Sequence, residues 1–568
     1  MRTNMNYVLS GIAAMVAGLG IVVSTAASQN PAGNLRIEIS FPAATRQQPV
    51  TGRAFVVISR HQDPEPRLQA GDDNSLVFGI DVEQLKPREV AVVDSSTLGY
   101  PVGSLRDIPA GDYYVQGLLN VYTEFHRADG HTIWAHLDQW EGQQFNVSPG
   151  NICSPAQKVR LDANQGYSLR LSLTQVIPPL EAPADTSWVR HIRFQSRLLT
   201  EFWGRPMFLG ATILLPRGYD EHSGEYYPVV YEQGHFNLGA PLGFKTEEAP
   251  EKEADRLERG RLGIENGYEF FRVWDSANFP RVMIVEFLHP TPFYDDSYAV
   301  NSANNGPYGD AILTEMIPYL EAHFRIIRKP YARVLAGGST GGWEALALQL
   351  QHPDFFGGAW VFCPDPVDFR RYILTNIYDD DNAFWEANRE WVGAERPLAR
   401  SSEGQVETTM RQFSQLDGVL GTRGRSGQQL AAWEAAYGPV DENGYPKPLW
   451  DRRTGTIDHN VAHYMRDHGY DLRDYAERNW PTIGQLLVGK LHFYCGDMDN
   501  FYLNLSVYLF EDFLKKTTRP YYGGSFTYGR ALKGHGWNPM TNSELIRTMA
   551  QYMTQNAGVG ERAGAWSH

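Results

Sequence analysis

The sequence predicts two folded parts in one chain: a smaller all-β sandwich, followed by an α/β unit with a mostly parallel sheet. Three observations predict this. Residues 33–177 carry short apolar runs separated by Gly, Pro, Asp and Asn clusters, with no helical period among them. Beyond about Ser187, apolar strand-like runs alternate with helical patterns, the mark of a sheet covered on both faces. One long interval, 370–485, breaks that alternation with helical stretches and loops, as an insertion over the strand ends would.

The chain has 568 residues, 42% hydrophobic and 21% charged, which is globular composition with material for more than one core. The formal net charge of −15 argues against a nucleic-acid partner, which needs basic patches. Residues 1–28 read as an export leader: Arg2, then the uncharged and mostly apolar stretch Tyr7 to Val23, then the small residues Ser24-Thr25-Ala26-Ala27. Export to the periplasm or the medium is the expectation, and an uncleaved leader would leave an N-terminal membrane tether. Cys153, Cys363 and Cys495 are too few for a disulfide framework. They read as free buried thiols, although Cys363 and Cys495 would approach each other if their strands are neighbours.

In the first part, strands are expected at Leu35 to Phe41, Ala54 to Ser59, Val77 to Val82, Asp112 to Tyr122, Lys158 to Leu161 and Tyr167 to Val176. Together they suggest a sandwich of immunoglobulin size. No planar strip of aromatic residues marks it as a polysaccharide binder, so buttressing the lid is its expected role. The proline-rich stretch Ile177-Pro178-Pro179-Leu180-Glu181-Ala182-Pro183 opens a linker, 178–190. The α/β unit, 191–560, begins with an expected hairpin, Phe194 to Phe202 and Met207 to Leu215. Strands follow at Val229 to Glu232, Val282 to Leu288, Arg333 to Ala336, Ala359 to Cys363, Leu491 to Cys495 and Phe526 to Ala531. Helices are expected at Asp310 to His323, Glu344 to Leu350 and Leu503 to Lys515. Within the interval, Asp379-Asp380-Asp381 reads as a solvated turn rather than a cation site.

The chemistry centres on Gly337-Gly338-Ser339-Thr340-Gly341, a G-x-S-x-G pattern between an apolar strand and a helix. Small neighbours let a serine occupy a sharp strand-to-helix turn that lifts its hydroxyl above the sheet edge. The turn also aims the first helical amides at a developing oxyanion. An activated serine needs a base, and the base an orienting acid. The strand ending at Cys495 runs into Gly496-Asp497-Met498-Asp499, and the last strand into Gly534-His535-Gly536. Asp499 is the chosen acid, with Asp497 as alternative, and His535 is the base. The oxyanion donors would be the amide of Thr340 and that of His235 or Phe236, after the strand Val229 to Glu232; His235 could equally line the pocket. No H-E-x-x-H or paired-cysteine spacing calls for a metal, and no cofactor is expected.

From about Phe194 onward the chain resembles the "Putative esterase" family of α/β-hydrolases, the group of esterase D, feruloyl and acetyl-xylan esterases, enterochelin esterases and mycolyltransferases. The resemblance is carried by GATILLPRGYDEHSGEYYPVVYEQGHF, GPYGDAILTEMIPYLEAHFRI, RVLAGGSTGGWEALALQLQHPDFFGGA, CGDMDNFYL and GHGW. It implies an α/β-hydrolase fold, and its G-x-x-D acid loop and histidine loop favour Asp499 and His535. Two departures stand out: Gln233-Gly234 where the family commonly carries His-Gly, and an unusually long insertion before the acid. The expected activity is hydrolysis of a small-molecule or carbohydrate-linked carboxylic ester through an acyl-enzyme. An acyltransferase on the same fold, and a catalytically silent exported glycan-binding protein, are the alternatives.

Overall fold

The computed structural model of the protein describes residues 35–558, apart from 72–74, 143–144, 236–237, 254–255, 258, 260–263, 294–295 and 388–392. The leader, 1–28, lies outside them.

The N-terminal part is two packed β-sheets. Leu35–Ser40 pairs in parallel with Tyr167–Ser172 and antiparallel with Ala91–Asp94. A seven-strand sheet is built around Val50–Ser59, Ser75–Leu85 and Gly111–Val121. In Leu35–Ser40 the apolar residues Leu35, Ile37 and Ile39 point inward, as period-two alternation requires. Val50–Ser59 is buried along its whole length, because both of its faces are covered. Ala54, Val56 and Ile58 face the small sheet. Phe55 and Val57 pack on the other side with Phe145, Ile177 and two residues from the catalytic part, Val419 and Leu420.

That second face packs against the inserted interval. Arg53 donates from Nη1 to Asp81 Oδ1 at 2.8 Å and from Nε and Nη2 to the carbonyl of Val419 at 3.0 and 2.6 Å. Asp81 also receives Arg425, at 3.2 Å, and the Thr422 hydroxyl. Arg127 donates to the carbonyl of Gly444 at 2.8 Å.

The catalytic sheet has eight strands: β1 (Val189–Ser196), β2 (Met207–Leu214), β3 (Val229–Gln233), β4 (Met283–Leu288), β5 (Arg333–Gly338), β6 (Gly358–Phe362), β7 (Leu491–Gly496) and β8 (Ser525–Gly529). Their order is β1-β2-β4-β3-β5-β6-β7-β8, with β3 through β8 parallel and β2 antiparallel to both of its neighbours, β1 and β4. This is the α/β-hydrolase sheet. Alternate residues enter two cores: Tyr231, Val285, Leu335 and Val361 on one face, Val230, Ile284, Val334 and Trp360 on the other. Strands buried on both faces read as continuous apolar runs, which is why they were visible in the sequence.

The expected hairpin is corrected. The segment after β1 is helical, α1 (Arg197–Trp203). Ser196 caps it by accepting from the Leu199 amide at 3.1 Å, Leu199 and Trp203 bury one face, and Gly204 closes it in the left-handed region at φ 68°. The helices that cover the sheet include α2 (Gly267–Trp274) and α3 (Thr340–Gln351), α3 following the serine turn.

Between β6 and β7 the chain forms α4 (Met410–Leu420), α5 (Gln429–Tyr437), α6 (His459–Asp467) and α7 (Leu472–Leu487). α7 packs directly on α3 and so belongs to the sheet's own helical layer, while α4 lies against the N-terminal strand Ser75–Leu85. Trp433 and Trp450 are buried within the interval. Asp379 and Asp380 cap a turn, accepting from Asn376, with Arg396 beside Asp380 at 3.1 Å. After β7 come α8 (Asn504–Lys516) and, beyond β8, α9 (Asn542–Asn556). The three cysteines are free and buried; β6 and β7 are neighbours, with the Cys363 amide donating to the Tyr494 carbonyl at 2.7 Å. Among the described residues no helix is long and apolar enough to cross a membrane.

Candidate active site

Ser339 sits between β5 and α3 with φ 56° and ψ −121°, a strained backbone for a non-glycine residue. Two glycines make the turn possible. A Cβ on Gly341 would stand 1.9 Å from the carbonyl oxygen of Gln233, and one on Gly337 would stand 2.3 Å from that of Gly341. Both glycines of the G-x-S-x-G pattern are therefore places where backbone meets backbone. The Ser339 amide donates to the Phe362 carbonyl at 3.0 Å, which ties the turn to the end of β6.

The loops after β7 and β8 arrive at this rim. Asp499 is fully buried, and its Oδ2 lies 2.8 Å from His535 Nδ1. Its Oδ1 accepts from the amides of Phe501 and Leu503 at 2.9 and 3.2 Å. Asp497 holds the loop instead: Oδ1 accepts from the Lys533 amide at 2.9 Å, and its own amide donates to the Gly529 carbonyl. Asn500, which the sequence reading passed over, accepts from the His535 amide at 2.7 Å and donates to the Arg400 carbonyl at 2.7 Å. The adjoining amide of Gly536 donates to Cys363 Sγ at 3.3 Å. Burial lowers the pKa of His535, but Asp499 and Cys363 outweigh it and hold the imidazole above its ordinary value.

Ser339 Oγ does not bond to His535 in this arrangement. It donates to Asp365 Oδ1 at 3.4 Å. Asp365, missed in the sequence, follows β6 between two prolines, and a carboxylate placed directly after a core strand was the signal available for it. Burial pushes its pKa up, against the hydrogen bonds from Tyr298 and Trp433.

Thr340 is buried, and its hydroxyl lies 3.2 Å from His235 Nε2 and 3.1 Å from Asp365 Oδ2. His235 Nδ1 lies 3.1 Å from the buried Asp296. Burial raises the pKa of Asp296, but His235 beside it wins and holds the carboxyl well below the usual carboxylate range. The ring of His235 thus lines the site, with 44% of its side chain exposed. Phe236 lies outside the described residues. Below this loop a cavity of about 340 Å³ reaches Glu232 and Glu286, which are directly paired across β3 and β4. Burial and the neighbouring Glu286 push Glu232 up to about 8.

Among the described residues, three clusters could present metal-ligand atoms: Cys363, Asp499 and His535; His136, Asp138 and Glu141; and His289, Asp296 and Glu344. In each the histidine is already engaged. His535 Nδ1 meets Asp499, His136 Nε2 meets Glu141 at 2.7 Å, and His289 Nδ1 accepts from the Ser297 amide at 3.0 Å. His289 Nε2 therefore carries the ring's hydrogen and lies 3.9 Å from Glu344 Oε1.

Sheet order and serine turn together define an α/β-hydrolase fold with Ser339 at the turn from β5 into α3. The model of the family described as "Putative esterase" matches residues 270–413, the stretch from α2 through the elbow to the start of α4. Solved structures similar to this chain include an S-formylglutathione hydrolase from Agrobacterium tumefaciens, at 14% identity, 65% of this chain, 94% of that one and a TM-score of 0.29. Another is an S-formylglutathione hydrolase from Staphylococcus aureus, at 15% identity, 65% of this chain, 100% of that one and a TM-score of 0.30. A third is a ferulic acid esterase from Anaeromyces mucronatus, at 12% identity, 64% of this chain, 90% of that one and a TM-score of 0.28. No curated protein matches. The family match supports an esterase reading of this stretch.

Proposed function

We propose that the protein is an exported carboxylic-ester hydrolase acting through Ser339, His535 and Asp499. The observation that carries the reading is the pairing of His535 with a fully buried Asp499, on two loops that reach the rim where the strained Ser339 stands. In the reaction, Oγ of Ser339 turns from Asp365 to Nε2 of His535, gives up its proton and attacks the carbonyl carbon. The amide of Thr340, at the start of α3, faces the oxyanion, with a second amide from the loop after β3. His535 returns the proton to the leaving alcohol and then activates water to release the acid, while Asp499 fixes the Nδ1–H tautomer and stabilises the imidazolium. Export rests on the leader at 1–28.

The test is covalent labelling with a fluorophosphonate, alongside turnover of a panel of short acyl, feruloyl, acetyl-sugar and siderophore-type esters. The wild type labels at Ser339 and turns over at least one ester class, and Ser339→Ala does neither while keeping its fold. A wild type that resists the probe is a silent binding protein, and the proposal fails.

A further inference from the structure

Asp365 has an unusual distribution of hydrogen bonds. It is 4% exposed, and its amide donates to the Ser339 carbonyl at 3.1 Å. Oδ2 accepts from four side chains: the hydroxyls of Tyr298 at 2.8 Å and Thr340 at 3.1 Å, Nε2 of Gln429 at 3.0 Å and Nε1 of Trp433 at 3.1 Å. Gln429 and Trp433 come from α5, so the inserted interval helps hold this carboxyl in place. Oδ1 has one side-chain donor among the described residues, the hydroxyl of Ser339.

That single donor is the nucleophile. When Oγ turns to His535, Oδ1 loses its partner inside a buried site, and an acceptor left unmet there carries a free-energy penalty. A substrate can remove the penalty by bringing a donor of its own. The side of the carbonyl that such a donor occupies follows from the layout. The leaving alcohol must lie toward His535, which protonates it. Asp365 meets Ser339 from the side of Thr340 and α5, so the donor belongs to the acyl half.

We propose that Asp365 is a specificity-determining residue: its Oδ1 accepts a hydrogen bond from a hydroxyl or ammonium group on the carbon next to the scissile carbonyl, taking the place of Ser339 and freeing it to react. The inference rests on the esterase reading and narrows it to 2-hydroxyacyl or 2-aminoacyl esters.

Three phenyl esters of one size test it: phenyl 2-hydroxypropanoate, phenyl alaninate and phenyl propanoate, each corrected for spontaneous hydrolysis. The wild type favours one of the first two over the propanoate by roughly tenfold to a hundredfold in kcat/KM, and which of them it favours distinguishes hydroxyl from ammonium. In Asp365→Asn the side-chain oxygen still serves the four donors while an NH2 faces Ser339. The preference then falls to about one, with thermal unfolding as the check that the fold is kept. A wild-type preference of about one overturns the inference without any variant, and so does a preference that survives in a folded Asp365→Asn. Absence of labelling in the wild type overturns the esterase reading, and this inference with it.

Discussion

Replacing Asp499 by asparagine is the sharpest perturbation of the proposed chemistry, because the structure separates its catalytic and structural contacts. Oδ1 serves the loop through the amides of Phe501 and Leu503, and among the described residues Oδ2 serves His535 alone. Asparagine keeps an oxygen for the two amides and turns an NH2 toward Nδ1. The ring must then accept at Nδ1 and carry its hydrogen on Nε2, the tautomer that cannot take a proton from Ser339. The expected loss is about 10⁴-fold in kcat, or about 5 kcal/mol of barrier. Folding should change little, since the two amide contacts and the side-chain volume are retained. The pH dependence moves as well. Burial lowers the pKa of His535 and Asp499 raises it, with a net shift above the ordinary 6.5. Reaction needs the neutral ring, so wild-type kcat/KM rises with pH about a midpoint above 6.5, and the variant's midpoint moves down. The stability that the pair contributes has the matching sign: it is complete below 6.5 and lost as pH climbs through the folded value. Steady-state hydrolysis of p-nitrophenyl acetate across pH, with thermal unfolding as control, checks all three. A folded Asp499→Asn within tenfold of wild type refutes the assignment, above all if Asp497→Asn is the variant that fails.

Other perturbations reach different parts of the argument. Gly341→Ala should distort the elbow, since its Cβ would meet the Gln233 carbonyl oxygen at 1.9 Å; both labelling and melting temperature should fall, and a variant that labels at the wild-type rate contradicts the close approach. Arg53→Met should uncouple the N-terminal platform from α4, costing about 1–3 kcal/mol, chiefly by leaving the buried Val419 carbonyl without its donor while Asp81 keeps Arg425 and Thr422. Limited proteolysis between 410 and 425 should accelerate, and unchanged cleavage would count against the coupling. Glu232, with a folded pKa of about 8 against an ordinary 4.5, binds its proton more tightly in the folded state, so it drains stability as pH rises from 4.5 to 8. Glu232→Gln should flatten that part of the melting-temperature profile, and an unaltered slope would show that Glu232 is not its source.

The fold was legible where burial left a strong pattern. The core strands are apolar on both faces, so their positions show in the sequence without reference to neighbours. What stayed hidden depended on partners far away in the chain. The capped turn at Ser196 looks like a strand end until Leu199 and Trp203 are seen to need a common face. The full burial of Val50–Ser59 has no local cause: one face is covered by the small sheet and the other by Val419 and Leu420, some 360 residues on. Helix α7 reads like the rest of the insertion because nothing in its sequence says that α3 lies beneath it.

The site divides along the same line. A nucleophile turn, an acid loop and a histidine loop are each confined to a few consecutive residues, so local spacing can mark Ser339, Asp499 and His535 as candidates. Hydrogen-bond topology is not local. Asp365 gains its meaning from Tyr298, Thr340, Gln429 and Trp433, donors spread over more than 130 residues that meet only after the sheet and the insertion have folded together. Asn500 likewise looks like a loop residue until its amide group is found bridging the His535 amide and the Arg400 carbonyl. Residues of this second kind set which way the serine hydroxyl points before a substrate arrives. A motif can mark where the reacting groups stand, but the direction in which Ser339 rests is decided by Asp365, and a substrate with a donor of its own is what would redirect it.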